Sequence, residues 1–301
     1  LKLVSYGAPK AWNPGIDLGE YIADTRAVAG LAGWSGEDRA RLTSNRVLLE
    51  YGIDRARELE SFAGRALPEL TSAGSAFLSR EIRLGPPVPD PQKIICIGLN
   101  YHDHAAEVGA APPEAPIFFA KYANSLIGPA DDIVPPRDTN KVDYEAELAV
   151  VIGTAGRYID AAHALDHVAG AMAFNDVSAR DLQLANQLWT GGKAIDTFGP
   201  CGPALVTIDA LGDLQSLAVK TRVGGELLQN GNTSSMIFSV RQIIAFLSRI
   251  MTLEPGDIIA TGTPAGVAVS REPARFLKCG DVVEVDIQGI GVLRNKIAVA
   301  Y

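Results

Sequence analysis

Short apolar runs of strand length constrain this chain more than any other feature. They occupy residues 93–99, 116–121, 145–153, 167–174, 203–208, 218–223, 257–261, 282–287 and 292–299, each bounded by glycine, proline or polar residues. Runs of this kind suit buried strands, and none reaches the roughly 18 successive apolar residues of a membrane-spanning helix. The pair Gly224 and Gly225 stands between two strand-like segments, and a two-residue hairpin turn is expected there because glycine tolerates positive φ. One long helix is predicted over 240–251. Val240, Ile243, Ile244, Leu247 and Ile250 recur at steps of three and four, and Ser239 with Gln242 supplies a capping box. A shorter helix is expected after Ser178, with Asp181 as its box partner. Too few helices alternate with the strands for a doubly wound parallel sheet. The expected class is therefore α+β, a mixed β architecture with peripheral helices.

The first 84 residues read differently. Their periodicity is weak, Gly30, Gly33 and Gly36 crowd one stretch, and a helix over 36–42 is the element the pattern supports. Residues 85–91 then carry Pro86, Pro87, Pro89 and Pro91, which lack backbone donors and hold the chain extended. We take 85–91 as a linker between a small N-terminal domain, 1–84, and a larger domain, 92–301.

Charge and cysteine content exclude several classes of function. The net charge is −8 and lysine and arginine do not cluster, which argues against a nucleic-acid partner and leaves a solvated acidic surface. Cys96, Cys201 and Cys279 are widely spaced with no Cys-x-x-Cys, so neither a disulfide framework nor a zinc site is indicated, and a reducing cytoplasm is expected. Residues 1–9 show no charged-then-apolar signal pattern, although the sequence opens on Leu1 rather than Met, which leaves a lost leader open. The phosphate-binding Gly-x-x-x-x-Gly-Lys loop and the Gly-x-Ser-x-Gly elbow of serine hydrolases do not occur.

The carboxylates are more informative. Glu145 and Glu147 lie two apart on a predicted strand, so both project from one face. Two like charges near a core repel and are costly to desolvate. Either the strand is a solvent-facing edge or a divalent cation compensates them. Two features favour the cation: the apolar run 148–152 carries the strand inward, and Asp176 follows the apolar strand 168–174 where strand gives way to helix. Three oxygen donors without a soft ligand suit Mg²⁺, or Mn²⁺ or Ca²⁺.

A second group is His104 with Glu107. Three residues apart in a helical turn, they share a face, which suits a carboxylate orienting an imidazole for general-base work; a polar surface helix has the same spacing. Lys121, Arg180 and Lys193 end apolar or glycine-rich runs, where each is either solvated or placed to meet a substrate carboxylate. The turn from Thr261 through Gly262 and Thr263 to Gly266 is a tight turn or an oxyanion site built from N–H groups and hydroxyls.

Taken together, the motifs resemble the fumarylacetoacetate hydrolase family over about residues 90–300. The resemblance rests on Gly98, Asn100, Tyr101, His104 and Glu107; on Asp143, Tyr144, Glu145 and Glu147; on the stretch 175–183; on Gly192 and Lys193; and on 232–238 and 256–264. It is nearest to bacterial members with a short N-terminal domain, among them acylpyruvate and 2,4-diketo-3-deoxy sugar acid hydrolases. The resemblance implies a mixed β-roll catalytic fold, a homodimer, and Mg²⁺ held by Glu145, Glu147 and Asp176. It also implies a His104–Glu107 dyad on a lid that activates water, with Lys193 near the metal and the developing enolate. Tyr101, Lys121, Arg180, Gln183, Gly262 and Thr263 become candidate substrate-binding positions, and Leu99 departs from relatives that carry arginine there. The expected activity is metal-dependent hydrolysis of a C–C bond in a 2,4-dioxo acid. The alternatives are an isomerase, tautomerase or decarboxylase of a 2-oxo acid on the same scaffold, or a non-catalytic metal- or ligand-binding protein.

Overall fold

The computed structural model describes residues 1–185 and 187–300. Strands β1 (Lys2–Ala8), β2 (Ala11–Asp17), β3 (Tyr21–Asp24) and β4 (Ala76–Leu78) form an antiparallel meander, and five helices lie between β3 and β4. Only the helix Gly36–Arg41 among those five was anticipated. The others escape a periodicity search because they are short, or because alanine does much of the packing. The longest of them, Ile53–Arg65, buries Ala56, Leu59 and Ala63. Their starts do carry a signal: Asp24, Ser35 and Ser44 cap three of these helices by accepting from Ala27, Asp38 and Val47 N–H groups.

The proline-bearing stretch begins at β5 (Leu84–Gly85), which pairs with β1. It bends through residues 87–90 and is packed: Pro87 O accepts from Ser5 Oγ at 3.1 Å and Asn45 Nδ2 at 2.9 Å, while Val88 is fully buried.

The strands that follow are β6 (Ile94–Gly98), β7 (Ile117–Lys121), β8 (Leu126–Ile127), β9 (Val142–Asp143), β10 (Ala146–Ile152), β11 (Val168–Asn175), β12 (Ser178–Ala179) and β13 (Gly199–Thr207). After them come β14 (Ala218–Val223), β15 (Glu226–Asn232), β16 (Ile258–Ala260), β17 (Val282–Ile287) and β18 (Gly291–Lys296). A mixed twelve-stranded sheet runs β4-β3-β2-β1-β13-β11-β10-β16-β6-β7, with β5 on β1 and β8 on β13. A four-stranded sheet, β15-β14-β17-β18, packs against it, and β9 pairs with β12. The fold is α+β with few helices beyond residue 92. Strands β10 and β11 lie side by side at its centre and every residue in them is buried.

Two local expectations meet different outcomes. Gly224 and Gly225, with φ of +58° and +88°, turn β14 into β15, and the helix Val240–Ile250 carries the Ser239–Gln242 capping box. The helix after Ser178 is a single turn, Arg180–Gln183, without the expected box. Ser178 belongs to β12 and gives its hydroxyl proton to Asp176 O, while Asp181 accepts from Thr139 Oγ1 at 2.6 Å instead of capping. No described helix is long and apolar enough to cross a membrane.

Candidate active site

Pairing of β10 with β11 places Ala146 opposite Asn175 and Glu147 opposite Phe174. Glu145 therefore lies beside Asp176, whose N–H donates to Glu145 O at 2.9 Å, and Asn175 Oδ1 receives the Glu145 N–H at 3.0 Å. As a result, ligand oxygens of Glu145, Glu147 and Asp176 lie within 4.8 Å of one another, in a setting where all three residues are buried.

Cations compensate these carboxylates unevenly. Lys193, from the one-turn helix Thr190–Lys193, places Nζ 2.8 Å from both Glu145 Oε2 and Asp176 Oδ2. Lys121 Nζ lies 2.7 Å from Asp176 Oδ1, and also donates to Val177 O and Lys193 O. Arg180 is engaged at each nitrogen: Nε to Asp143 Oδ2 at 2.8 Å, Nη1 to Gln183 Oε1 at 2.9 Å, and Nη2 in close ion-pair contact with Glu145 Oε1 at 2.7 Å. Burial alone would raise the Glu145 carboxyl, but Lys193 and Arg180 outweigh it and pull the group down to about 2. The same carboxylates overcome burial at Lys193 and hold its ammonium charged.

Glu147 is the exception. Its carboxylate accepts from Gly262 N–H, at 2.9 Å. Burial first, then repulsion from Asp176 and Glu145, pushes its carboxyl well above the usual carboxylate range. A divalent cation among the three carboxylates would remove that penalty, and an all-oxygen donor set suits a hard ion such as Mg²⁺ or Mn²⁺. By formal charge, Asp143, Glu145, Glu147 and Asp176 against Lys121, Arg180 and Lys193 leave one negative charge. A divalent ion would turn that into one positive charge.

The Gly262 contact depends on glycine. Its φ is +98°, and a Cβ there would lie 2.7 Å from the Asn100 side chain. Asn100 Nδ2 in turn donates to Thr261 O at 2.7 Å and Phe238 O at 3.0 Å, locking this turn.

Above the carboxylates lies a cavity of about 480 Å³, lined on its polar side by His104, Glu107, Glu145, Glu147, Lys193 and Gln183. The helix His102–Glu107 brings His104 Nδ1 to 3.1 Å from Glu107 Oε2, and Glu107 Oε1 accepts from Gly266 N–H at 2.9 Å. A carboxylate only accepts, so Nδ1 carries the proton and Nε2 is left as the basic nitrogen.

Residues 93–298 match the family model described as fumarylacetoacetate (FAA) hydrolase C-terminal. The chain belongs to the fumarylacetoacetate hydrolase family. It is 40% identical over 299 residues to the human protein named oxaloacetate tautomerase FAHD2A, mitochondrial, covering 99% of this chain and 91% of that one. The solved fumarylacetoacetate hydrolase of psychrophilic Exiguobacterium antarcticum superposes with a TM-score of 0.80 at 35% identity, covering 99% of each chain. A maleylpyruvate hydrolase from Sphingobium sp. SYK-6, solved with manganese(II) and pyruvate, matches with a TM-score of 0.78 at 30% identity over 100% of both chains.

In this family member the expected site residues divide into three groups. Glu145, Glu147, Lys193, Arg180, Gln183, His104, Glu107 and Thr263 line the cavity, and Asp176 lies just beneath it against Lys193. The Thr263 hydroxyl gives its proton to Ala146 O and accepts from Gln229 Nε2, so it braces β10. Tyr101 and Lys121 are not on the cavity wall. Tyr101 is wholly buried with its hydroxyl unpartnered, and Lys121 is held inside by Asp176 and two carbonyls, which a buried ammonium requires. The turn 261–266 spends two of its N–H groups on protein carboxylates, Gly262 on Glu147 and Gly266 on Glu107, instead of on an open oxyanion site.

The sequence reading gave Asp143 no role beyond its place in the 143–147 motif, and it did not single out Trp189. Asp143 receives the N–H groups of Tyr144, Ala268 and Val269 as well as Arg180, so it joins β9 to the far wall of the cavity. An acidic residue two before Glu145 was the available signal. Trp189 offered none, being one aromatic residue in a polar stretch.

Proposed function

We propose that this chain is a divalent-cation-dependent enzyme that takes a 2-oxo acid through its enolate, with keto–enol tautomerisation as its reaction. The observation that carries this is the convergence of Glu145, Glu147, Asp176 and Lys193 at one end of a cavity whose other polar wall is His104 with Glu107. A cation held by the three carboxylates would act as a Lewis acid on the 2-oxo group. Lys193, kept protonated, faces the oxygen on which negative charge develops and stabilises it. His104 Nε2, oriented through Nδ1 by Glu107, is the base that takes or returns the proton at C3. The Gln183 amide, with its oxygen committed to Arg180, keeps its N–H groups for the substrate carboxylate. The name of the human relative, matched over nearly the full chain, supports tautomerisation ahead of the hydrolysis expected from the sequence.

Hydrolysis of the C3–C4 bond of a 2,4-dioxo acid is the second reading, favoured by the dyad. The same His104 Nε2 would deprotonate water for attack on the 4-carbonyl, and the pyruvate enolate released needs the stabilisation already described. The protein solved with manganese(II) and pyruvate is a hydrolase of this family.

The deciding experiment assays purified protein with Mg²⁺ or Mn²⁺ on enol oxaloacetate, following loss of the enol, and on a panel of acylpyruvates, following pyruvate. Enol loss that chelator abolishes and metal restores, without pyruvate release, is the expected result. Turnover undiminished in chelator-treated protein would rule out the proposal. A homodimer and a reducing compartment, which the three unpaired cysteines suit, belong to the same proposal. Sedimentation analysis tests the first of these.

A further inference from the structure

The cavity is lined by two unlike sets of residues. Its apolar lining includes Ile97, Leu99, Val108, Phe119, Trp189 and Val269, and it adjoins the polar cluster at Phe119, whose ring centroid lies 5.2 Å from Lys193 Nζ. These come from separate elements: the end of β6 and the residue after it, the end of the dyad helix, β7, the approach to the Lys193 helix, and the turn Ala268–Ser270. Leu99 holds φ at +51°, a left-handed conformation that a leucine adopts only at an energetic cost and that tends to persist where a site needs it. Trp189 lies directly on Gly98, where a Cβ would be 2.4 Å from its ring, and packs edge-on against Phe119 with centroids 5.6 Å apart. Val108 and Val269 remain 42% and 37% exposed, so the apolar surface is open to an occupant.

Size and charge narrow that occupant. A cavity of about 480 Å³ is far larger than a four-carbon 2-oxo acid gripped at the carboxylate end would occupy. The cations on its wall, Arg180 and Lys193, are already bonded to Asp143, Glu145 and Asp176. Among the described lining residues, a second carboxylate set against the apolar lining would meet no unpaired cation, and its burial would be unfavourable.

We infer that the substrate extends beyond C4 with an apolar alkyl or aryl group lying against Leu99 and Trp189, and that this wall disfavours longer 2-oxo diacids. The inference rests on the proposed 2-oxo acid chemistry and names the substrate class of that same site. Four-carbon acids react at the polar end and leave the wall unfilled.

Calorimetry tests it, beginning with Mg²⁺ alone and continuing with 2-oxobutanoate, 2-oxohexanoate and 2-oxoglutarate on the Mg²⁺-loaded protein. The expected result is roughly tenfold tighter binding of 2-oxohexanoate than of 2-oxobutanoate, since two further methylenes leave water. 2-Oxoglutarate should bind no tighter than 2-oxobutanoate. Trp189→Ala should move the ratio of the hexanoate and butanoate constants toward unity, and Leu99→Arg should invert the preference between 2-oxohexanoate and 2-oxoglutarate. Trp189→Ala keeps the test decisive if the strained Leu99 position tolerates no arginine. Equal or tighter binding of 2-oxoglutarate by the unsubstituted protein, or a ratio unmoved in Trp189→Ala, overturns this inference and leaves the enolate chemistry standing. Failure to bind Mg²⁺ and every 2-oxo acid overturns both.

Discussion

The floor of the cavity and its mouth are built on different principles. The floor carboxylates stand on or at the ends of β10 and β11, strands buried throughout and bonded to neighbours on both sides, so their spacing follows from sheet register. The mouth residues Leu99, His104, Trp189 and Val269 come from turns and helices of one or two turns. Metal and proton chemistry depends on fixed distances, which paired strands supply. Recognition of a variable substituent falls to segments where side chains can change without disturbing the sheet.

The comparison breaks first if the floor does not hold a cation. Glu147→Gln should weaken Mg²⁺ binding at least about a hundredfold, beyond the usual loss for an outer-sphere partner, and remove turnover with it. Calorimetry on the folded variant checks this, and retained affinity would mean the floor is only a packed ion-pair cluster. At the mouth, His104→Ala should slow the loss of enol oxaloacetate by about 10²–10⁴ while Mg²⁺ affinity holds, which separates the two regions. Equal loss of metal binding in that variant would show that they are one unit.

Asp143 spans both regions, and Asp143→Asn should cost about 3–5 kcal/mol of stability by leaving Arg180 buried with half its charge compensation. Urea denaturation reads that loss. A smaller effect follows from pH. Glu147 keeps its proton in the metal-free fold above the range where an unfolded glutamate has lost it, so rising pH through that window destabilises metal-free protein and strengthens metal binding, by up to about tenfold per unit. Glu145 has the opposite sign: its contribution is present above the ordinary glutamate value and is lost as pH falls toward about 2. Proton release on Mg²⁺ binding, measured in buffers of different ionisation heat, tests the Glu147 effect. The smallest effect lies outside both regions. Ser239→Ala removes the cap of helix Val240–Ile250 and should cost about 1 kcal/mol in thermal unfolding, with activity preserved.

Legibility of the fold tracked the chemistry of each segment. β10 was readable because apolar residues run unbroken from Leu148 to Ile152 and end on β-branched Val150, Val151 and Ile152, and the Val240 helix because bulky residues recur along one face beside a capping serine. The helix Ile53–Arg65 was obscured by alanine, since Ala56 and Ala63 are buried beside Leu59 but carry too little hydropathy to mark a face. The Ser178–Asp181 pattern misled because Asp181 found a better partner in Thr139, 42 residues away in sequence.

From the residues alone, strand content, the two-residue spacing of Glu145 and Glu147, the three-residue spacing of His104 and Glu107, and the motifs of the family could be determined, because periodicity and local turns act within a few residues. Tertiary structure alone decided the β10–β11 register that sets Asp176, already grouped with the two glutamates in the sequence, at ligand distance from them, and that Lys121 is a buried clamp. It also decided that Trp189 and Leu99 line the cavity. Those outcomes depend on which distant strands pair and which charges then share a small, poorly hydrated space, and no local pattern encodes that.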